Sequence, residues 1–212
     1  MPIEPIVEMC EDGSFTAQAR GAECHLIFDP ASAGGRWLLL YRSQGAPEDL
    51  LLSMHDDLDE ALAGLAAQAD NDGGWFTIRL PDGNTFSRPG KVPAEEILAT
   101  FGYMLIEGMT VYAVYESASE LSDAEAERAV REMLTGYDVR IGSVDRIGDA
   151  DPSWCLDMVL PFEGYIHRGA LTAHAAGVLA GTALEVTGVI ECQDVGAEVP
   201  DTSNVVHFPK AA

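Results

Sequence analysis

The chain has 212 residues, of which 47% are hydrophobic and 22% charged, and its 12 Lys and Arg against 35 Asp and Glu give a formal net charge of −23. This length suits one large or two small domains, and this mix buries a core unaided, which excludes a disordered chain. The charge repels nucleic-acid phosphates and anionic lipid head groups, so direct binding to nucleic acid or to a membrane surface is not expected.

From Ile6 to Arg42 the chain reads as short extended segments, Ile6 to Cys10, Ser14 to Arg20, Cys24 to Phe28 and Arg36 to Arg42. Turn formers separate them at Glu11-Asp12-Gly13, Gly21-Ala22 and Asp29-Pro30 through Gly34-Gly35, which predicts an antiparallel meander. The unbroken apolar run Trp37 to Tyr41 predicts a strand covered on both faces, near the middle of its sheet. Leu58, Ala61, Leu62, Leu65 and Ala66 then recur at the spacing of one helical face, with Asp56, Asp57, Asp59 and Glu60 at the end where acidic groups meet the helix dipole. Asn71 to Gly74 ends that helix. Trp75 to Leu80 is a strand, Pro81-Asp82-Gly83-Asn84 a turn, and Thr85 to Ser87 a short return.

Pro93 suits a first helical position and opens a helix over Ala94 to Met104 with Ile97, Leu98, Phe101 and Leu105 as its apolar face. Val111 to Tyr115 is a strand, and Ser122-Asp123-Ala124-Glu125 is a capping box for a helix striped by Ala126, Ala129, Val130, Met133, Leu134 and Tyr137. Val139 to Ile147 and Trp154 to Leu160 form a hairpin, Ala170 to Ala183 a helix, and Leu184 to Cys192 a last strand. The β-α-β-β-α-β order predicts a ferredoxin-like sandwich. The expected fold is therefore α+β: a β-rich lobe over 1–90 with an antiparallel meander and one packed helix, a connecting helix over 91–109, a ferredoxin-like lobe over 110–195, and a loose tail over 196–212.

Cys10, Cys24, Cys155 and Cys192 are widely spaced and form no C-x-x-C pair, so neither a zinc nor a redox motif is expected, and a reduced, cytoplasmic chain is. No export signal and no apolar run long enough for a membrane span is read. Cys24 and His25 are neighbours in a strand and point to opposite faces, so they do not share a metal. Asp70-Asn71-Asp72-Gly73 resembles part of a calcium loop, but the register places Arg79 where the bidentate Glu belongs, which leaves a helix-ending turn. Neither G-x-S-x-G nor a phosphate-binding glycine motif occurs. Neither metal nor cofactor is called for.

One segment combines several chemistries. Pro161-Phe162-Glu163-Gly164-Tyr165-Ile166-His167-Arg168 brings two aromatics, a carboxylate, an imidazole and a guanidinium together, just ahead of His174. Glu163, His167 and His174 are the acid/base candidates there, and Phe162, Tyr165 and Arg168 the ligand-binding ones. Gly177 and Gly181, four apart on the expected last helix, mark a face that permits close approach of a partner. Asp145, Asp149, Asp151 and Asp157 read as a solvated face.

The acidity is spread evenly, with net −11 over residues 1–105 and −12 over 106–212. The leading expectation is a non-catalytic binding or regulatory protein acting through a protein partner or a second copy of itself. The alternatives are an acidic inhibitor or nucleic-acid mimic that blocks a basic partner, and a small enzyme or ligand sensor with a site near residues 162–174.

Overall fold

The computed structural model describes residues 5–19, 22–32, 36–43, 49–69, 75–148 and 152–191. Its fold is α+β, with a large, mostly antiparallel sheet and four α-helices among the described residues. By their contacts the residues divide into two compact units, Met1–Glu107 with Phe162–Ala180, and Gly108–Pro161 with Gly181–Ala212.

In the first unit, β1 (Ile6–Met9), β2 (Phe15–Ala19), β3 (Ala22–Phe28), β4 (Trp37–Ser43) and β5 (Leu50–His55) run as a meander. Helix α1 (Leu58–Gln68) then leads into β6 (Phe76–Arg79) and β7 (Thr85–Arg88), and the seven strands lie in the order β5-β4-β3-β2-β1-β6-β7. Strand β6 pairs parallel to β1, a pairing that requires a crossover, and α1 supplies it. The expected stripe Leu58, Ala61, Leu62, Leu65 and Ala66 is buried, in one core with Val7, Phe15, Cys24, Leu26, Trp37 and Leu39 from the covered sheet face.

The acidic cluster at the start of α1 does two jobs. Asp57 caps the helix, its Oδ1 accepting the Glu60 N–H at 3.0 Å. Asp59 instead pairs with Arg88, whose side chain is buried, and also accepts the Ala94 N–H at 3.2 Å. Capping therefore accounts for only part of that cluster.

Strand β4 lies next to the sheet edge, not near its middle. Trp37 and Leu39 are buried on the α1 side while Leu38 and Leu40 are half-buried on the other, because only one sheet face is covered. The edge itself is β5, a strand that the sequence reading passes over. Helix α2 (Ala94–Thr100) is shorter than expected: Gly102, at φ +82°, donates to the Ala99 carbonyl and turns the chain into β8 (Tyr103–Ile106). Strand β8 pairs antiparallel with β12 (Gly164–His167), in the segment expected to be a loop.

The second unit holds β9 (Met109–Glu116), α3 (Asp123–Met133), β10 (Arg140–Arg146), β11 (Ser153–Leu160) and β13 (Leu184–Glu191), with the all-antiparallel strand order β10-β11-β9-β13. The capping box is present, with the Glu125 carboxylate accepting the Ser122 N–H at 2.8 Å and its hydroxyl at 2.6 Å. Asp123 ties α3 to the hairpin, accepting from Arg146 Nε at 2.9 Å and Trp154 Nε1 at 3.2 Å. Asp157 is not part of a solvated face. It is buried, accepts the Ser143 N–H, and sits where β10 bulges between Ile141 and Ser143. Asp145 is exposed, while Asp149 and Asp151 lie outside the described residues.

The last helix, α4 (Leu171–Val178), follows a 3-10 turn at Arg168–Ala170 and belongs to the first unit, whereas the sequence reading groups it with 110–195. It ends five residues early, at Val178 and not Ala183. Gly181 therefore lies beyond it, at φ +91°, and does not share a helix face with Gly177. The turn at 70–74, Cys192 and the tail over 196–212 lie outside the described residues. No described helix is long and apolar enough to cross a membrane.

Candidate functional site

Strand β12 is the structural base of a cavity in the first unit. Its register against β8 sets Tyr165 opposite Leu105, Ile166 opposite Met104 and His167 opposite Tyr103. The turn between β1 and β2 comes down on this strand so closely that a Cβ on Gly13 would lie 2.3 Å from Tyr165 N and 2.5 Å from Tyr165 O. Gly13 also has φ +80°, so glycine meets both the conformational and the steric demand there.

The cavity has a volume of about 640 Å3 and lies between that turn, the β6–β7 turn, β8, β12 and the start of α4. Tyr103, Tyr165 and Ile166 are its buried floor. Glu11, Pro81, Asp82, His167 and Ala173 are exposed and make its rim, while Cys10 and His174 stand half-buried in its walls. A volume of several hundred Å3 with an apolar floor and a few polar groups suits a small molecule.

The electrostatics are one-sided. Glu11 and Asp82 contribute carboxylates, and neither Lys nor Arg lines the cavity among the described residues. Asp82 is held by its own turn, accepting the Asn84 N–H at 2.9 Å and side-chain amide at 2.8 Å. Burial pushes the His174 imidazole below its ordinary value, which keeps it neutral in neutral solution. Its ring meets Phe162 edge-on at 4.9 Å. Burial raises the Tyr165 phenol far above its ordinary value, and Glu95, which its hydroxyl bonds, adds to this. Tyr103 is raised first by burial and then by the Asp82 carboxylate, with a hydrogen bond from the Asp82 backbone acting the other way. His167 Nδ1 accepts the Gly169 N–H at 3.0 Å, so its neutral ring carries the proton on Nε2. That nitrogen packs over Gly102, where a Cβ would come within 2.8 Å of it.

Of the residues singled out in the sequence, Tyr165, His167 and His174 meet on the cavity. Phe162 supports His174 from behind. Glu163 and Arg168 are exposed and do not line it, so the acid/base set Glu163, His167 and His174 is not assembled there. Gly177 is exposed, with open space around its Cβ position. Sequence reasoning misses Cys10, Glu11, Pro81, Asp82 and Tyr103. Glu11, Pro81 and Asp82 sit in turns that were legible as turns and Cys10 at the end of an expected strand, but local pattern carries no sign that the two turns converge. Among the described residues, no group of three or more His, Cys, Asp or Glu is placed to hold a metal ion.

A second feature of the same unit is the edge strand β5. Among the described residues it is the end strand of its sheet, paired on one side with β4 only. Leu50 is 62% exposed, Leu51 47%, Leu52 40% and Met54 42%. Leu38 and Leu40 of β4 extend the apolar surface inward as half-buried neighbours. Edge strands are ordinarily guarded by charge, proline or a short length. Strand β10 follows that pattern with Arg140, Asp145 and Arg146, whereas Leu50–His55 carries neither an acid nor a Lys or Arg. Comparison with known proteins finds no matching family model, no matching curated sequence and no matching solved structure.

Proposed function

We propose that this chain is a non-catalytic binding protein that acts through protein–protein contact, and that β5 is the contact. One observation carries the reading: the exposed leucines of an uncharged edge strand, on a chain of net charge −23. A free strand edge offers unpaired N–H and C=O groups to an added strand, and alternating apolar pockets supply selectivity. The partner is an extended apolar segment flanked by basic residues. Its apolar centre replaces water along β5, and its flanks meet the negative field of the surrounding chain, including Asp56 at one end of the strand; Asp49 at the other end is already paired with Arg42.

Two further readings belong to the same proposal. The second unit follows the ferredoxin-like strand arrangement, which its order β10-β11-β9-β13 and the packing of α3 on β10 favour, although α4, the second helix of that pattern, is grouped with the first unit. The setting is reducing and cytoplasmic, which the free thiols of Cys10, Cys24 and Cys155 favour.

The test uses the full chain and a labelled nine-residue peptide, Lys-Lys-Val-Thr-Val-Leu-Val-Lys-Lys. Fluorescence anisotropy is expected to show binding that weakens about tenfold, or about 1.4 kcal/mol, when the flanks are Glu. A central proline, which removes a ladder donor, should abolish it. Leu51→Lys should abolish it too while leaving the melting temperature within a few degrees. Light scattering that shows a dimer, converted to monomer by Leu51→Lys, would assign the edge to a second copy and overturn the basic partner. A monomer that binds none of the peptides would overturn the contact altogether.

A further inference from the structure

The cavity in the first unit makes a demand on a ligand that is independent of the β5 edge. Its floor is apolar and fixed: Tyr165 and Ile166 are held by β12–β8 pairing, and the Tyr165 ring stacks on Trp37 at 6.0 Å and 14° between planes. That floor is nearly closed to water, so the apolar surface a ligand covers is the wall above it, Pro81, Ala170 and Ala173, at roughly 25 cal/mol per Å2 removed from water. The rim is negative, with Glu11 and Asp82 and neither Lys nor Arg among the described lining residues. Asp82 spends its hydrogen-bonding capacity on the turn at Asn84, whereas Glu11 has no hydrogen bond or ion pair among the described residues. An anion entering here is repelled by both carboxylates. A neutral ligand gains nothing from them, and a cation is attracted by both.

His174 completes the set. Its ring is fixed from one side by Phe162, it lines the cavity, and neither of its nitrogens has a hydrogen-bond partner among the described residues. A half-buried neutral imidazole of this kind accepts or donates one bond to a ligand hydroxyl. His167 cannot take that place through Nδ1, which is bonded to Gly169.

We propose that the cavity binds a small aromatic amine, with its ring against the apolar wall of Pro81, Ala170 and Ala173, its ammonium held by Glu11 and Asp82 at the rim, and His174 bonded to a ring hydroxyl. The ligand class is thus a hydroxylated arylalkyl amine, selected by shape at the wall and by charge at the mouth.

The experiment titrates the full chain by calorimetry with tyramine, with tyrosol, which replaces the ammonium by a hydroxyl, and with 4-hydroxyphenylacetate, which replaces the aminomethyl group by a carboxylate. Tyramine is expected to bind, tyrosol at least about tenfold more weakly, and the carboxylate not at all up to about 10 mM. Glu11→Gln and Asp82→Asn should each weaken tyramine about threefold, the range of a partly exposed charge pair. Glu127→Gln, on the exposed face of α3, controls for the general field and should change nothing. Ala173→Phe places a ring in the mouth and should abolish binding with an unchanged melting temperature. Tyramine binding that survives Ala173→Phe would place the ligand elsewhere. Equal binding of tyrosol would remove the role of the carboxylates, and no binding of tyramine at about 10 mM would remove the site; each of these overturns the proposal.

Discussion

Gly13→Ala tests how the cavity wall is built. The substitution adds one methyl group at φ +80°, which costs about 1–2 kcal/mol for any L side chain. The new Cβ also lies 2.3 Å from Tyr165 N, 2.5 Å from Tyr165 O and 2.9 Å from Gly164 C. All three are backbone atoms of a paired strand, so no rotamer change relieves the contact; the turn or β12 must move, at an overpacking cost of about 1–3 kcal/mol. The expected total is about 2–5 kcal/mol, a large part of the roughly 5–15 kcal/mol of a typical domain. Gly83→Ala is the matched control. It sits in the β6–β7 turn of the same unit at φ +87°, with nothing within 4 Å of its Cβ position, so it bears the conformational cost alone. Urea unfolding followed by circular dichroism should move the midpoint by about 1–2.5 M for Gly13→Ala and about 0.5–1 M for Gly83→Ala, taking a slope near 2 kcal/mol per M. Equal shifts would refute the claim that the turn is clamped on β12.

Three further outcomes follow from the same contacts. Asp59→Ala removes the carboxylate partner of Arg88, whose side chain is 7% exposed and keeps its bond to the Val92 carbonyl, and should cost about 3–5 kcal/mol in urea unfolding because a buried charge loses its counter-ion. Gly142→Ala should destabilise by about 1–3 kcal/mol, because its Cβ would come within 2.7 Å of the Asp157 carboxylate at the β10 bulge; a neutral result would show that Asp157 swings freely. Asp49, Asp123 and Glu125 are held below the ordinary carboxylate range, by Arg42, by Arg146 and then Trp154, and by Ser122 respectively. In that window the unfolded chain binds more protons than the folded one, so their contribution is complete above the ordinary range and is lost as pH falls through the lowered values. Ser122→Ala should therefore be less stable than the parent at neutral pH, and the gap should close on acidification; a gap constant down to pH ~2 would refute the Glu125 assignment.

Much of both units was legible because the signals are local. The stripe of α1, the capping box at Ser122 and the turns at Glu11-Asp12-Gly13 and Pro81-Asp82-Gly83-Asn84 each state their structure within a few residues. What was not legible depends on partners far along the chain. Strand β5 lacks alternation: the register slips one residue between Leu39 and Leu40, so Leu51 and Met54, three apart, face the same side. The two ends of α2 and α4 were overextended because Ala and Leu continue a helical pattern past the point where Gly102 or Leu179 ends it. Asp59 and Asp157 carried the composition of surface acids, and only their distant neighbours Arg88 and Ser143 distinguish them. At the candidate site, the mixture of side chains over 162–174 pointed to one wall. The facing wall comes from residues 10–11, 81–82 and 103, which nothing local connects to it.

The cavity and the β5 edge are separate places joined by one buried contact. Strands β4, β3 and β2 stand between β5 and β1, so four strand spacings, about 19 Å, separate the edge from the turn that bears Glu11. Direct competition between a peptide on β5 and an amine in the cavity is therefore excluded by distance. Tyr165, however, is both the cavity floor and the partner of Trp37, and Trp37 lies opposite His55 of β5 in the sheet register. Phe15 and Phe28 pack the other sides of that tryptophan, at ring distances of 5.9 and 5.2 Å. A close-packed aromatic cluster of this kind has no second arrangement to shift into, so it carries rigidity between the two sites more readily than a signal. The same sheet thus holds both proposed surfaces in place, and the aromatic cluster at Trp37 is what they have in common.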